Sequence, residues 1–126
     1  QVKSRYGTRI ASVVHLAGYF DFSGEPNPLY QQVNVEGTRR LLRKLQALQV
    51  EQFIYASTML VHAPTKPGVP INETSPVEPR WAYPQSKLET ENVVEHAHGD
   101  IPYVLLRIAG VYSQVVQPPT LAQQIS

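Results

Sequence analysis

The chain has 126 residues, 42% of them apolar and 17% charged, which suits one folded domain rather than a disordered chain or a complete two-lobed enzyme. Its net charge of +1, with acids and bases interspersed, argues against a nucleic-acid partner, and its apolar runs are too short to cross a membrane. The absence of cysteine excludes disulfides and cysteine-based metal sites. No metal site is expected, and the cytoplasm is the default location.

The first elements along the chain are predicted to be a buried strand and a long helix. Residues Ile10 to Ala17 are β-branched and apolar with little alternation, which is typical of a strand covered on both faces of a parallel sheet. A loop follows from Tyr19 to Pro28, and a helix runs from about Leu29 to Leu48. Its predicted core-facing residues are Leu29, Val33, Gly37, Leu41, Leu45 and Leu48. Gly37 weakens this helix by about 1 kcal/mol, a cost that close approach of the helix to the sheet would offset.

The middle of the chain is predicted to hold a second strand and a long loop. Residues Gln52 to Ala56 form the strand, which ends at Ser57 and Thr58. From about Ala63 to Arg80 the chain is polar and rich in proline. Loops of this length inside compact domains are usually functional or disordered.

The last part of the chain predicts a helix, a strand and the start of another helix. These elements run from Tyr83 to about His98, from Tyr103 to Arg107, and over Thr120–Ser126. Gly99 is expected to cap the first of these helices at its carboxyl end. Because the sequence begins with glutamine just before a strand and stops in a first helical turn, both ends are expected to be cut.

The order strand, helix, strand, helix, strand predicts an α/β fold. Such alternation favours right-handed crossovers in a parallel sheet with helices on both faces. Ligands of open sheets of this kind bind outside the carboxyl ends of the strands. Three segments fall at that edge, His15–Gly18, Ser57–Thr58 and Ile108–Gly110. The helix of Tyr83 begins at the same edge, so the chemistry is expected to converge there.

Tyr83 and Lys87 are the candidate chemical pair of the chain. Residues four apart share one face of a helix, which would place the lysine ammonium close to the tyrosine phenol. A neighbouring positive charge favours phenolate and lowers the tyrosine pKa from its reference near ~10. The pair is therefore predicted to donate and accept protons near neutral pH.

Five segments, in order along nearly the whole chain, carry the motifs of a known family. They are His15–Gly18 (His-x-Ala-Ala/Gly), Asn34–Leu42 (Asn-Val-x-Gly-Thr-x-x-Leu-Leu), Ser57–His62 (Ser-Ser/Thr-x-x-Val-Tyr), the Tyr83 and Lys87 pair (Tyr-x-x-x-Lys) and Leu106–Tyr112 (Leu-Arg-x-x-Asn-Val-Tyr). Together they resemble the extended short-chain dehydrogenase/reductase superfamily, and within it the NAD-dependent epimerase/dehydratase family. The resemblance implies a partial Rossmann-type doubly wound parallel sheet, with residues 1–126 supplying the central and C-terminal strands of the NAD(P)-binding domain.

The resemblance also implies a role for each matching residue in an NAD(P)-dependent oxidoreductase or epimerase/dehydratase. Tyr83 would be the catalytic acid/base, and Lys87 would lower its pKa and hold the nicotinamide ribose. Thr58 would hydrogen-bond the substrate oxygen, with Asn34 as the supporting residue on the preceding helix. The NAD or NADP cofactor would be lined by Leu16, Ala17, Gly18, Tyr83, Lys87, Ile108, Ala109, Gly110 and Val111.

The departures from the family pattern limit what this chain is expected to do alone. The Gly-x-x-Gly-x-x-Gly turn for the pyrophosphate, and the residue that selects NAD or NADP, both lie upstream of His15 in the family, so a fragment inactive by itself is expected. Gly110 stands where many nucleotide-sugar enzymes have asparagine, and His62 and Ala63 replace tyrosine and glycine. These changes tilt the expected small-molecule substrate from a nucleotide sugar toward another carbonyl or carbinol compound, without deciding. A homodimer is a further expectation for the full-length protein.

Other interpretations of the same residues stay open at this point. A protein of this fold could be a non-catalytic dinucleotide-binding sensor or scaffold, or an interaction fragment whose exposed half-sheet edge invites association. Thr58 could merely terminate a strand, and Asn34 could be a plain helix residue. His15 at a strand end is more often a packed, hydrogen-bonded residue than a base. His96 and His98, two positions apart on a helix, cannot face one ligand.

Overall fold

Parallel strands with two long helices packed against them form the body of the molecule in the computed structural model, which describes residues 2–111. The elements are α1 (Val2–Tyr6), β1 (Arg9–Ile10), β2 (Val13–His15), a π-helical segment (Tyr30–Glu36) continuing into α2 (Gly37–Leu45), β3 (Gln49–Val50), β4 (Phe53–Thr58), a 3₁₀ turn (Met59–Val61), α3 (Ala82–Ala97) and β5 (Tyr103–Ile108). The helix predicted at Thr120–Ser126 lies outside the described residues, as does Tyr112.

The predicted parallel sheet is confirmed. The strands β2, β4 and β5 pair in that order, all parallel, and the short strands β1 and β3 pair on their amino-terminal side. His15 lies opposite Tyr55 in the register, and Thr58 lies opposite Ile108. The carboxyl ends of all three longer strands therefore meet at one edge.

The hydrophobic core lies between the sheet and the helices. Phe53 and Tyr55 of β4 are buried and pack among Val35 and Leu42 of the first long helix and Val94 of α3. Alternate residues of β4 point to this side because a strand has a side-chain period of two. Burying a large apolar side chain contributes about 1.5–3 kcal/mol, so this layer holds α3 in place against β4.

Within residues 2–111 the long helices cover one face of the sheet, whereas the sequence predicted helices on both faces. Val14 is 56% exposed, and Leu106 and Ile108 on the same uncovered face are exposed as well. The strand predicted from Ile10 to Ala17 is also interrupted, since its pairing stops at Ile10 and resumes at Val13. Its near-continuous apolar character is what a two-sided strand would show, but only one side meets a helix here.

The stripe predicted for the first long helix is wrong in its amino-terminal half. Leu29 and Val33 are exposed, and Tyr30, Asn34 and Val35 are buried in their place. The reason is the π-helical segment, in which the Gly37 N–H donates to the carbonyl of Gln32, five residues back. One extra residue in a turn rotates the helix face by roughly 100°, so a single 3.6-residue period does not fit both halves.

Gly37 also differs from its expected role. A Cβ placed there would meet the Gln32 carbonyl at 3.6 Å and the Arg40 guanidinium at 3.9 Å, both on its own helix. Close approach to the sheet therefore does not explain this glycine. The predicted cap at Gly99 is confirmed, because this residue follows α3 with φ of +62°, a conformation that glycine adopts without strain.

The long polar segment after β4 is closed at its base. His62 and Val77 form an antiparallel bridge, and the Ala63 and Glu78 N–H groups donate across it to Pro76 and Val61. The intervening residues thus form a loop whose ends meet beside the 3₁₀ turn. None of the helices in residues 2–111 has the length and apolar character needed to cross a membrane.

Candidate active site

The carboxyl edge of the sheet carries most of the residues that the sequence singled out. Thr58 ends β4 beside Ile108 of β5, and the segment after His15 leaves β2 at the same edge. Parallel strands place these ends side by side, so residues 40 or more positions apart become neighbours. The predicted convergence of the three segments is confirmed.

Thr58 serves as a cap at the end of its strand. Its backbone is extended, with φ of −138°, and its Oγ1 accepts a hydrogen bond of 3.2 Å from the Leu60 N–H at the start of the 3₁₀ turn. This contact holds the side chain at the strand end, as in other helical N-caps. The hydroxyl proton is not used in accepting that bond, so Thr58 can still donate to an oxygen atom at the edge of the sheet.

Lys87 is buried beneath this edge, with a relative exposure of 5%. Its Nζ donates a 2.5 Å hydrogen bond to the Ala56 carbonyl of β4 and lies 4.4 Å from the centre of the Tyr55 ring. Burial lowers the pKa of Lys87 to about 8, and the negative charge of Glu91 acts in the opposite direction. Lys87 is therefore a cation near neutral pH that gives up its proton far more readily than an exposed lysine.

Tyr83 is half-buried among aromatic rings. Phe20 packs edge-on against it at 4.7 Å between ring centroids, and Trp81 and Tyr30 lie at 5.6 and 6.3 Å. Burial raises the pKa of Tyr83 above its ordinary value, and Tyr30 raises it further. The sequence predicted a lowered pKa for Tyr83, and this direction is wrong. Burial outweighs the help of a cation, and the Lys87 ammonium is engaged with the Ala56 carbonyl.

Asn34 ties the loop after β2 to the helix of Tyr83. Its Oδ1 accepts from the Tyr19 N–H at 2.7 Å, and its Nδ2 donates to the Tyr19 carbonyl at 3.2 Å and to Ser86 Oγ at 3.0 Å. Since Asn34 is 1% exposed, these bonds replace the water that a buried amide would otherwise need. Asn34 therefore supports both the loop and α3.

Gly18 lies against this amide and close to Lys87. A Cβ built on Gly18 would lie 3.2 Å from Asn34 Oδ1 and 4.0 Å from Lys87 Nζ. The absence of a side chain leaves a space beside the ammonium. The remaining residues predicted to line the cofactor are all exposed near the strand ends, and they are Leu16, Ala17, Ile108, Ala109, Gly110 and Val111.

His15 is a packed, hydrogen-bonded residue, as the sequence predicted. Its Nε2 lies 2.8 Å from Thr38 Oγ1, and that hydroxyl donates to the Asn34 carbonyl, so the histidine Nε2–H is the donor to Thr38. Burial lowers the pKa of His15, and the charge of Lys87 lowers it further. His15 is therefore a neutral imidazole in the neighbourhood of Lys87.

The sequence reasoning missed a buried ionic network on the far side of Lys87. Glu91 accepts hydrogen bonds from Ser57 Oγ and from the Arg107 guanidinium, which in turn lies 3.3 Å from His62 Nε2. The signal was available, because Tyr83, Lys87 and Glu91 recur every four residues and must share a helix face. Within the described residues, no group of three His, Asp or Glu side chains could hold a metal ion.

Known proteins resemble this chain over most of its length. A model of the NAD dependent epimerase/dehydratase family matches residues 4–126. The human 3 beta-hydroxysteroid dehydrogenase type 7 is 34% identical over 115 residues, covering 81% of this chain and 31% of the relative. The UDP-glucose 4-epimerase uge1 of Schizosaccharomyces pombe is 34% identical over 91 residues, covering 68% of this chain and 26% of the relative. The chain thus spans about a third or less of these relatives.

Solved structures show the same architecture. The UDP-glucuronic acid 4-epimerase of Bacillus cereus, in complex with UDP-glucuronic acid and NAD, has a TM-score of 0.70 at 26% identity, over 78% of this chain and 32% of that protein. The RMD protein of Pseudomonas aeruginosa, complexed with NADPH, has a TM-score of 0.67 at 28% identity, over 79% of this chain and 35% of that protein. These likenesses confirm the predicted Rossmann-type α/β fold. With the family match covering nearly every residue, the chain belongs to the NAD-dependent epimerase/dehydratase family.

Proposed function

We propose that this chain is the central part of an NAD(P)-dependent oxidoreductase or epimerase/dehydratase of the extended short-chain dehydrogenase type. The observation that carries the proposal is the buried ammonium of Lys87, held at the end of β4 one helical turn after Tyr83. Burying a cation costs free energy, and its place at the ligand-binding edge of a parallel sheet favours a functional role. The activity belongs to the full-length protein, and the fragment alone is inactive.

In this proposal each residue has its own role in the reaction of a carbinol or carbonyl group. Tyr83 moves the proton of the substrate oxygen, donating it during reduction and accepting it during oxidation. Thr58 donates its hydroxyl proton to the same oxygen and so fixes its orientation. Lys87 is the cation that stabilises the phenolate when Tyr83 acts as a base. Asn34 keeps the loop of Gly18 and the helix of Tyr83 together.

The cofactor in this proposal is NAD or NADP, which supplies or receives the hydride when bound. The residues fit such a group, because Gly18 has no side chain in the position where a Cβ would lie 4.0 Å from Lys87 Nζ. Lys87 would hold it together with Tyr83 and the exposed strand-end residues. Those residues are Leu16, Ala17, Gly18, Ile108, Ala109, Gly110 and Val111.

For the substrate, we propose an apolar secondary alcohol or ketone in preference to a nucleotide sugar. The rings of Phe20 and Trp81 flank Tyr83, so the approach to the phenol is aromatic on that side. Such a surface suits a flat apolar compound better than a polyhydroxylated sugar. The relatives named above act in both classes, and a panel of hydroxysteroids and UDP-sugars tested with NAD and NADP would separate them.

The test of the catalytic assignment is Tyr83→Phe in the full-length protein. The phenylalanine keeps the ring contacts with Phe20 and loses only the hydroxyl, so we expect turnover to fall by about 10²- to 10⁴-fold with NADH binding retained. Tyr103→Phe is the matched control, because this tyrosine lies at the start of β5, against His98, at the opposite end of the strand. Undiminished turnover in Tyr83→Phe would refute the assignment.

A second candidate is a non-catalytic dinucleotide-binding sensor or scaffold. It is favoured by the raised pKa of Tyr83 and by the bond of Lys87 to the Ala56 carbonyl, which together describe a phenol without an activating cation. Titration of NADH and NADPH into the full-length protein distinguishes the two. Binding of NADH or NADPH that is not oxidised by any member of a separate panel of carbonyl compounds supports the sensor, and oxidation that depends on Tyr83 excludes it.

A further inference from the structure

The buried acid of α3 lies four residues after Lys87. Glu91 is 2% exposed, and its carboxylate accepts a hydrogen bond from Ser57 Oγ at 2.5 Å. Arg107 adds two more, from Nε at 3.1 Å and from Nη2 at 2.7 Å. These donors offset the cost of removing the carboxylate from water.

The partners of Glu91 are the immediate neighbours of candidate site residues. Ser57 precedes Thr58 at the end of β4, and Arg107 precedes Ile108 at the end of β5. One turn earlier on α3, Lys87 donates to the carbonyl of Ala56. Helix α3 is therefore attached to β4 at two consecutive residues, once through a cation and once through an anion. This double attachment sets how far Tyr83, on the same helix, stands from the end of β4.

We propose that Glu91 is the positioning residue of this site: its carboxylate fixes the ends of β4 and β5 against α3 and places a negative charge one helical turn from Lys87. The inference rests on the proposed function for its catalytic consequence. Glu91 touches neither substrate nor cofactor in this proposal and acts through Ser57, Arg107 and Lys87.

The charges around Lys87 support this role. Burial lowers the pKa of Lys87 to about 8, and Glu91 raises it against that effect. Without Glu91, the pKa would fall further toward neutrality, and the uncharged fraction of Lys87 at pH 7.5 would increase. The other titratable or charged groups near Lys87 and Glu91 are His15 on β2, Tyr55 on β4, Arg107 on β5, His62 beyond the 3₁₀ turn, and Tyr83 and Glu95 on α3.

The outer side of the network is closed by a histidine. His62 Nδ1 lies 3.2 Å from the Ser75 carbonyl and therefore donates to it, which leaves Nε2 to accept from Arg107 Nη1 at 3.3 Å. The guanidinium is thus held from two sides, by Glu91 and by His62. Because His62 also bridges to Val77, the network continues into the base of the long loop.

The first experiment measures the titration of Lys87 directly in the chain labelled with ¹³Cε-lysine, with the resonance assigned by its loss in Lys87→Arg. We expect a midpoint near pH 8 in the unaltered protein. Glu91→Gln should lower that midpoint by about one pH unit. Glu95→Gln, which removes an exposed carboxylate one turn further along α3, should leave it in place. An unchanged midpoint in Glu91→Gln would overturn the proposal.

The second experiment tests the attachment without removing a charge, and so does not depend on the folding of Glu91→Gln. Ser57→Ala leaves Glu91 paired with Arg107 and leaves the midpoint of Lys87 unchanged. In the full-length protein we expect kcat to fall about tenfold with KM within twofold. The reason is that the residue before Thr58 would no longer be hydrogen-bonded to Glu91, so Thr58 would be held less precisely. A kcat equal to that of the unaltered protein would contradict positioning by Glu91.

The two measurements also separate this inference from the proposed function. The titration of Lys87 needs neither cofactor nor substrate. A protein that turns over no carbonyl compound but shows the downward shift in Glu91→Gln would refute the catalytic function and leave the hold of Glu91 on Lys87 supported. A protein that is active and Tyr83-dependent, but shows no shift, would refute the role of Glu91 alone.

Discussion

The stability of the protein should rise as the pH is raised from 7.5 to 9.5, because of Lys87. Its pKa is about 8 in the folded protein, below the ordinary value of 10.5 that it has in the unfolded chain. Between these two values the unfolded chain holds a proton that the folded protein has released, so raising the pH favours folding. Below pH 8 both states are protonated, and the full cost of burying the ammonium is present.

The magnitude follows from the two pKa values. A difference of about 2.5 corresponds to about 3 kcal/mol over the whole range, at about 1.36 kcal/mol per pH unit. Roughly 2 kcal/mol of this should be gained between pH 7.5 and 9.5. Above pH 10 the trend should reverse, since burial raises the pKa of Tyr55 and of Tyr83, and the unfolded chain then loses the phenol protons first.

The assay is urea unfolding at half-unit pH steps, followed by circular dichroism. Lys87→Met removes the titrating group and keeps an unbranched side chain, so its free energy of unfolding should be nearly independent of pH between 7.5 and 9.5. Lys66→Met, in the exposed loop, should keep the rise of the unaltered protein. A flat profile in the unaltered protein, or the same rise in Lys87→Met, would refute the assignment of a buried ammonium with a lowered pKa.

Four further substitutions test local features. Asn34→Ala should lower the free energy of unfolding in urea by about 2–3 kcal/mol, because it leaves the partners of three hydrogen bonds unpaired. A loss below about 1 kcal/mol would argue against these hydrogen bonds. Gly99→Ala should lower the free energy of unfolding by about 1–2 kcal/mol, since φ is +62° and the new Cβ would clash with the Gln46 side chain. Gly37→Ala should instead raise the free energy of unfolding by up to about 1 kcal/mol, and equal effects of the two substitutions would contradict this difference. Gly18→Ala should weaken NADH binding by the full-length protein about tenfold in a fluorescence titration. An unchanged affinity would show that the cofactor does not bind beside Gly18.

The parallel fold could be predicted because its signals are local. Each strand is a short apolar run that ends in small or polar residues, and the alternation with helices leaves few topologies. Val14 shows the limit of this reasoning, since an apolar run predicts burial on both sides but does not say which neighbours are present. The same holds for the site, where the strand ends converge as expected while the roles of Tyr83 and Thr58 stay predictions. Homodimerisation and a cytoplasmic location also stay predictions.

The electrostatics of the site could not be predicted from spacing alone. The four-residue interval between Tyr83 and Lys87 says that they share a helix face, but not how deeply that face is buried. Burial decides the sign, because it raises the pKa of one group and lowers that of the other. The spacing also places Glu91 on the helix face of Tyr83 and Lys87, but its pairing with Arg107 on β5 could not be predicted, because only the fold brings the two together.

The π-helical segment Tyr30–Glu36 has a consequence for how this helix can change in length. Deleting one residue between Asn34 and α2 would convert the segment to a regular α-helix and would turn the side chains before the deletion by about 100° relative to α2. Asn34 would then point away from Tyr19 and Ser86, although Leu42 and Leu45 would still pack on the sheet. A single-residue deletion could therefore leave the fold intact and disconnect the helix from the loop of Gly18.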